Sequence, residues 1–215
     1  SPSRLEPLEI AGCENIYRLS PHVLSGGEPR GREAFRALAR SGIRTLVSVD
    51  GIRPDLESAR EFGLRYVHLP VGYDAIPRSR ALEIARAVRD LPGPVYIHCH
   101  HGKHRGPAAA VVALVATEGW SSDQAVAALE RIGTSPRYTG LYAGAQNFRA
   151  SRQEIDDADG SFPEAAQVPA LAGAMASMER MWEQLQLIQK EGWRVPPHHP
   201  DLEPANTALQ KYRDP

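Results

Sequence analysis

Between residues 14 and 150, short runs rich in β-branched residues alternate with segments that have a helical pattern. The runs are "IRTLVSVD", "LRYVHLPV" and "PVYIHC", and each follows a helical segment such as "REAFRALARSG" or "SRALEIARAVRD". Strands that alternate with helices in this way form α/β layers in which most strands are parallel. We therefore predict a central, mostly parallel sheet flanked by helices, with a C-terminal helical extension after it.

The sequence changes in character near residue 150, which divides it into a predicted α/β domain over residues 1–150 and an extension over residues 151–215. The extension opens with the acidic linker "DDADGSFPE". Apolar residues then recur at three- and four-residue steps, which predicts one apolar helix face: Leu171, Met175, Met178, Trp182, Leu185 and Ile188. Such a face would pack on the main domain or on a second copy of the chain, so homo-oligomerisation through this helix is one expectation.

Composition limits the partners that the chain can have. The net charge is −1, whereas surfaces that bind nucleic acids or adsorb to membranes usually carry a basic excess. No apolar run approaches the ~20 residues that span a bilayer. We therefore expect no nucleic acid partner and no membrane span. The cytoplasm is the default location, and export is the alternative if a signal peptide preceded Ser1.

The stretch "HCHHGKHRG" lies between the predicted strand "PVYIHC" and an apolar helix that opens at Pro107. Five residues separate Cys99 from Arg105, so the chain must curl and point backbone N–H groups inward. Together with the positive end of the helix, these donors predict an anion site of phosphate size. Gly102 permits the positive φ that curling needs, the site favours the thiolate form of Cys99, and Arg105 can hold two phosphate oxygens.

This arrangement resembles the Cys-x5-Arg signature of the protein tyrosine phosphatase superfamily, and most closely its compact dual-specificity branch. The stretches "IYRLSPHVLSGGEP", "LRYVHLPVGYDAIP" and "SPRYTGLYAGAQNF" are similar to the opening strands, general-acid segment and closing helix of that branch, so residues 14–150 are covered. The resemblance implies a phosphatase with no metal or organic cofactor. It makes Cys99 the nucleophile, Arg105 the phosphate clamp, His98 the neighbour that helps to hold the thiolate, and Asp74 the general acid. The phosphate-binding loop would be His100, His101, Gly102, Lys103, His104 and Arg105.

A separate acid is also required on chemical grounds, because an oxygen that leaves phosphorus needs a proton. Asp74 lies in a loop between Pro70 and Pro77 and is the preferred candidate. Asp50, at the end of "TLVSVD", and Asp55, which fits the N-terminus of a helix, are the competitors.

The substrate is predicted to be a phosphorylated protein or a small phosphorylated molecule. Phosphoinositide-directed members of the superfamily also carry a lysine where Lys103 lies, and the loop histidines add positive charge when protonated, so a strongly anionic substrate is favoured. Gly106 departs from the family pattern, which has Ser or Thr there to hydrogen-bond the thiolate. That departure puts turnover in question, though not binding.

Two other interpretations remain open. The first is a catalytically weak, phosphate-binding pseudophosphatase, which Gly106 allows. The second is a metal-binding module with ligands among His98, Cys99, His100, His101 and His104. Adjacent residues on one turn rarely converge on one ion, which counts against the metal. Cys13 could form a disulfide with Cys99, as in some superfamily members, although an ordinary thiol is favoured.

Overall fold

The computed structural model describes residues 5–168 together with 174, 177, 178, 181, 182, 185, 186, 188–190 and 192. The chain divides into two compact units, Ser1–Gln167 and Val168–Pro215. The first unit holds the predicted α/β domain. Within the described part of the chain, no helix is long and apolar enough to cross a membrane.

Three residues of the predicted apolar face in the second unit, Met178, Trp182 and Leu185, are exposed, and Ile188 is buried. Leu171 and Met175 of that face, and all residues after 192, lie outside the described residues. Packing of this face on the main domain or on a second copy of the chain stays a prediction.

The first unit contains a six-stranded sheet with the strand order β1-β2-β3-β6-β4-β5. The strands are β1 Glu6–Ile10, β2 Cys13–Arg18, β3 Val23–Gly26, β4 Thr45–Ser48, β5 Arg65–His68 and β6 Val95–His98. β3, β6, β4 and β5 are parallel, whereas β1 and β2 add an antiparallel hairpin at one edge. The predicted mostly parallel sheet is confirmed, and the hairpin strand β1 is an addition that the alternation in the sequence did not indicate.

Seven helices surround the sheet in the described part of the first unit. They are α1 Gly31–Arg40, α2 Leu56–Glu61, α3 Arg78–Asp90, α4 Arg105–Thr117, α5 Ser122–Ile132, α6 Thr139–Asn147 and α7 Arg152–Asp157. Local capping explains several boundaries: Ser121 forms a capping box with Gln124, and Gly133 ends α5 in the left-handed conformation. The last helix, α7, falls within the stretch that the sequence presents as the start of the extension.

Helix α4 forms the centre of the core. Every residue from Arg105 to Val115 is buried, which explains why this stretch is apolar on all sides rather than on one face. α4 packs against α3, α5 and α6 and against strands β3 and β6. The opposite side of the sheet is covered by a second apolar cluster that includes Phe35 and Leu38 of α1.

The four parallel strands end in register. Gly26 of β3 and Ser48 of β4 both pair with His98 of β6, and Ser48 pairs with His68 of β5. The carboxyl ends of parallel strands in such sheets are where ligand sites form, because the loops that follow them meet at one edge. The loops after β3, β4, β5 and β6 are therefore brought to one place, and they carry the residues that the sequence singled out.

Candidate active site

The loop from Cys99 to His104 links β6 to α4, as the sequence predicts, and Arg105 is the first residue of the helix. Cys99 is 3% exposed, so its thiol lies at the bottom of the loop. Gly102 has a φ of +69°, and a Cβ atom there would lie 2.2 Å from the carbonyl carbon of Gly26. Only glycine therefore fits at this position, both for its backbone conformation and for the close approach of the β3 backbone.

Four peptide carbonyls, at the end of β6 and in the loop, are bound by donors on surrounding elements. The carbonyl of His98 accepts from the Val49 N–H at 2.9 Å, and that of His100 from the Glu28 N–H at 3.0 Å. Two side chains bind the other two of these carbonyls: Nδ2 of Asn15 donates to the carbonyl of His101 at 2.8 Å, and the Thr134 hydroxyl donates to that of Lys103 at 2.6 Å.

In a trans peptide the N–H points opposite to the carbonyl of the preceding residue. The N–H groups that follow these four carbonyls therefore turn toward the interior of the loop, where Cys99 lies. An inward ring of amide donors at the start of α4 is the arrangement that binds a tetrahedral anion.

The Arg105 side chain is fixed by two neighbours. Its Nη2 donates to Oδ2 of Asp50 at 3.1 Å, and both side chains are more than nine-tenths buried. Its guanidinium carbon lies 4.2 Å from the centre of the Tyr73 ring, which is close enough for a cation–π contact. The buried Nε of Arg105 has no hydrogen-bond partner among the described residues, so one donor of the guanidinium is left for a ligand.

His98 is buried beside the loop, and its Nε2 shares a hydrogen bond of 2.6 Å with the hydroxyl of Tyr66. Burial lowers the pKa of His98 to about 4. The ring is therefore neutral near pH 7 and contributes a dipole and packing to the loop, not a positive charge.

Two loop histidines also serve as structural links. Burial lowers the pKa of His104, as does electrostatic repulsion from the neighbouring His101, Lys103 and Arg105. Its Nδ1 accepts from the Ser135 N–H at 3.3 Å. Nδ1 of His100 lies 3.2 Å from a carboxylate oxygen of Glu28. Because its pKa is lowered, His104 contributes less to the expected positive charge of the loop than a free histidine would.

Asp74 lies on the loop that follows β5, and its side chain is exposed. Two glycines leave room for it: a Cβ at Gly140 would lie 1.4 Å from the Asp74 carbonyl oxygen, and a Cβ at Gly72 would lie 2.2 Å from its Oδ1. This loop adjoins the phosphate-binding loop through Tyr73, whose ring contacts the Arg105 guanidinium and packs at a tilt against Tyr138, with ring centres 4.9 Å apart. The structure thus places Asp74 next to a residue that contacts Arg105.

The two competing carboxylates have other partners. Asp50 is buried, and its side chain is engaged by Arg105 and by the Ile52 N–H at 3.3 Å. Asp55 caps α2, where its carboxylate accepts from the Ser58 N–H at 3.0 Å, as its position in the sequence predicts. The structure thus gives both of these carboxylates a structural partner, the Arg105 side chain for Asp50 and the start of α2 for Asp55.

The sequence did not indicate two residues that hold the loop. Asn15 adopts a φ of +50°, and Thr134 follows α5. The nearest signal is the asparagine itself, because asparagine is among the few residues that adopt positive φ readily. The role of Asp50 as the partner of Arg105 carries no sequence signal, because 55 residues separate them.

Metal ligation and disulfide formation find no support in the geometry. No group of three or more His, Cys, Asp or Glu side chains could hold a metal ion within the described residues. Cys13 and Cys99 are both free thiols, and burial raises the pKa of Cys13 to about 12.

Known proteins similar to this chain are phosphatases. The dual specificity protein phosphatase TpbA of Pseudomonas aeruginosa (strain UCBPP-PA14) is 29% identical over 123 residues, which cover 55% of this chain and 55% of TpbA. The chain thus spans about half the length of the curated relatives that it matches. No family model matches the chain.

Among solved structures, P. aeruginosa TpbA superimposes with a TM-score of 0.57 at 24% identity over 72% of this chain and 95% of TpbA. The fold of this chain is therefore that of the dual-specificity phosphatases. A TpbA variant in complex with pTyr gives 0.56 at 23% identity over 68% of this chain and 91% of the variant. PTPMT1 in complex with PI(5)P gives 0.52 at 16% identity over 66% and 97% of the two chains.

The resemblance that "HCHHGKHR" indicates is therefore confirmed in sequence similarity and in fold. The dual-specificity phosphatase fold brings His98, Cys99, Arg105 and the intervening loop together at the carboxyl edge of the sheet. It places Asp74 on the neighbouring loop. The chemical roles of these residues are taken up as proposals below.

Proposed function

We propose that the chain is a cysteine-dependent phosphatase that hydrolyses phosphomonoesters through a phosphocysteine intermediate. The observation that carries this proposal is the link from β6 to α4, in which four carbonyls between His98 and Lys103 are bound from outside. The N–H groups that follow them therefore turn toward the buried thiol of Cys99. The relatives support the same chemistry, since they are named as dual-specificity phosphatases.

In the first step, the Cys99 thiolate attacks phosphorus and the bond between phosphorus and the ester oxygen breaks. The sulfur–phosphorus bond that forms gives the phosphocysteine, and Asp74 gives its proton to the departing oxygen. The inward amides and Arg105 bind the oxygens of the phosphoryl group as charge develops on them. Asp50 and Tyr73 hold Arg105 in place for this task.

In the second step, water attacks the phosphocysteine and the sulfur–phosphorus bond breaks. Asp74, now a carboxylate, accepts a proton from the water, and the products are inorganic phosphate and the Cys99 thiolate. The neutral His98 stabilises the position of the strand end that carries Cys99 rather than forming an ion pair with the sulfur.

The substrate class is an anionic phosphate ester, from a phosphorylated protein or from a small molecule. Related folds have been crystallised with pTyr and with PI(5)P, which represent both sources. Lys103 is exposed at the loop and supports a preference for substrates that carry additional negative charge.

A second candidate function is a phosphate-binding pseudophosphatase. Gly106 favours it, because this position lies against Cys99 and offers the sulfur no hydroxyl. The two functions share the binding site and differ in the fate of the bound phosphate.

Hydrolysis of p-nitrophenyl phosphate tests the proposal. We expect turnover by the wild type and none by Cys99→Ser, while the variant still binds inorganic phosphate, because the amide cradle and Arg105 remain. Turnover that persists in Cys99→Ser would exclude the proposed nucleophile. Phosphate binding without any wild-type turnover would favour the pseudophosphatase.

A further inference from the structure

Residues 158–167, which we call the edge segment, follow α7 and dock along the α/β domain. At its start, Arg86 donates to the carbonyl of Ala158 and, at 2.8 Å, to that of Asp156 at the end of α7. Phe162 then packs against the main apolar core. An ion pair between Arg60 and Glu164 holds the far end. The segment is thus anchored at several separate points.

His68 joins the edge segment to the sheet through both its backbone and its side chain. β5 is the last strand of the sheet, and the His68 backbone N–H donates to the carbonyl of Pro163 at 2.7 Å. The side chain is fully buried, and its Nδ1 accepts from the Ala166 N–H at 3.1 Å. Burial lowers the pKa of His68, which favours the neutral ring, and because Nδ1 accepts a hydrogen bond the proton is on Nε2.

The other ring nitrogen of His68 faces the candidate active site. Nε2 donates to the backbone carbonyl of Asp50 at 2.9 Å, and the Asp50 carboxylate in turn accepts from Arg105 at 3.1 Å. Both nitrogens of one buried ring are therefore occupied, one by the edge segment and one by the residue that holds Arg105. A buried histidine satisfied on both sides fixes the relative position of the groups that it joins.

We propose that His68 is a positioning residue, which transmits the docking of the edge segment through Asp50 to Arg105 and so keeps the guanidinium aligned for a phosphoryl group. The proposal rests on the proposed function, in which Arg105 binds the phosphoryl oxygens. An arginine that must bind two oxygens at once loses more from misalignment than a single donor does, since its donors form a rigid fork.

Two substitutions of His68 separate positioning from simple burial. The amide nitrogen of glutamine reaches the place of Nε2, whereas asparagine reaches only the place of Nδ1. We expect His68→Gln, which keeps the donor to Asp50 but loses the acceptor for the Ala166 N–H, to raise KM for p-nitrophenyl phosphate by only about threefold. We expect His68→Asn to raise KM, and the Kd for orthovanadate, about tenfold, because misplacement by about 1 Å costs up to about 10²-fold. A purely structural residue would show equal effects in both variants, or none.

A second pair of variants tests the edge segment without touching His68. Ala166→Pro removes the N–H that donates to Nδ1, because proline has none, and Ala165→Pro puts the same ring one residue earlier, on an exposed residue. We expect Ala166→Pro to weaken orthovanadate binding about threefold to tenfold and Ala165→Pro to leave it within about twofold, on the same positioning argument. This pair keeps the proposal testable if His68→Asn does not fold.

A double-mutant cycle with Asp50→Asn decides whether His68 acts through Asp50. We expect His68→Asn to add less than about twofold to the orthovanadate Kd of Asp50→Asn, because residues in one network are not additive. Full additivity in folded proteins, or wild-type orthovanadate affinity in both His68→Asn and Ala166→Pro, would overturn the proposal. Wild-type protein that binds orthovanadate but does not hydrolyse p-nitrophenyl phosphate would overturn only the proposed function, since these affinities still test His68.

Discussion

Replacing Gly106 by serine should speed up the breakdown of the phosphocysteine, and the structure allows the size of the effect to be worked out. A Cβ atom at Gly106 would lie 3.4 Å from the Cys99 sulfur, so a hydroxyl on that carbon can reach the sulfur as it departs. Adding or removing one such donor at a developing charge changes the rate about 10²- to 10³-fold.

The neighbouring backbone reduces this gain. The same Cβ would lie 3.1 Å from the Cys99 nitrogen and 3.3 Å from the carbonyl carbon of His98, so the loop must shift by a few tenths of an ångström. Since misplacement by about 1 Å can cost about 10²-fold, such a small shift costs only part of the benefit. We expect breakdown in Gly106→Ser to be about tenfold to 10²-fold faster than in the wild type.

Rapid-quench kinetics with p-nitrophenyl phosphate measures both steps. The wild type should release a burst of p-nitrophenol near one equivalent of enzyme and then turn over slowly, whereas Gly106→Ser should show a faster slow phase and a smaller burst. Gly106→Ala is the matched control, because it adds the same Cβ without the hydroxyl and should not accelerate the slow phase. No burst in the wild type, together with equal turnover in the serine and alanine variants, would refute the reasoning.

Three further predictions concern the acid, the loop cation and the glycine of the turn. Asp74→Asn should slow the hydrolysis of phenyl phosphate at least about tenfold more than that of p-nitrophenyl phosphate, because the better leaving group needs little proton donation. Asp50→Asn is the comparison, and the same selectivity in that variant would make Asp50 the general acid. Lys103→Ala should raise KM more for a bisphosphate than for p-nitrophenyl phosphate, since more anionic charge lies near the lost cation, and equal losses would remove the basis for an anionic preference. Gly102→Ala should abolish orthovanadate binding, because its Cβ would lie 2.2 Å from the Gly26 backbone. Gly119→Ala is the control, because Gly119 has a φ of +70° but open space around it, so this variant shows the cost of the backbone conformation alone. Similar orthovanadate binding by the two variants would contradict the contact argument.

The sequence predicted those parts of the molecule that depend on local pattern. The alternation of short strands and helices gives the parallel sheet, and the strand before Cys99 and the apolar helix after it give the position of the loop. Gly102 could be assigned a positive φ because the turn is tight and glycine alone lacks a Cβ.

The parts that the sequence could not predict depend on long-range contacts. Asn15 and Thr134 bind carbonyls of the loop from distant segments, and Asp50 meets Arg105 across two strand ends. The strand β1 and the docked edge segment likewise depend on tertiary packing, which overrides the polar, proline-containing character of their sequences. The loop histidines His100, His101 and His104 were expected to add positive charge, but burial lowers the pKa of His104, which composition alone does not reveal.

The central claim is that phosphate passes through Cys99, and the most direct test is to trap it there. Protein mixed with p-nitrophenyl phosphate for milliseconds, quenched in acid and measured by intact and peptide mass spectrometry, should carry one phosphoryl group on the peptide that contains Cys99. The slow breakdown expected with Gly106 should make this adduct abundant, and Cys99→Ser should show neither adduct nor product. Formation of p-nitrophenol by the wild type with no phosphoryl group on Cys99 at any quench time would contradict the account.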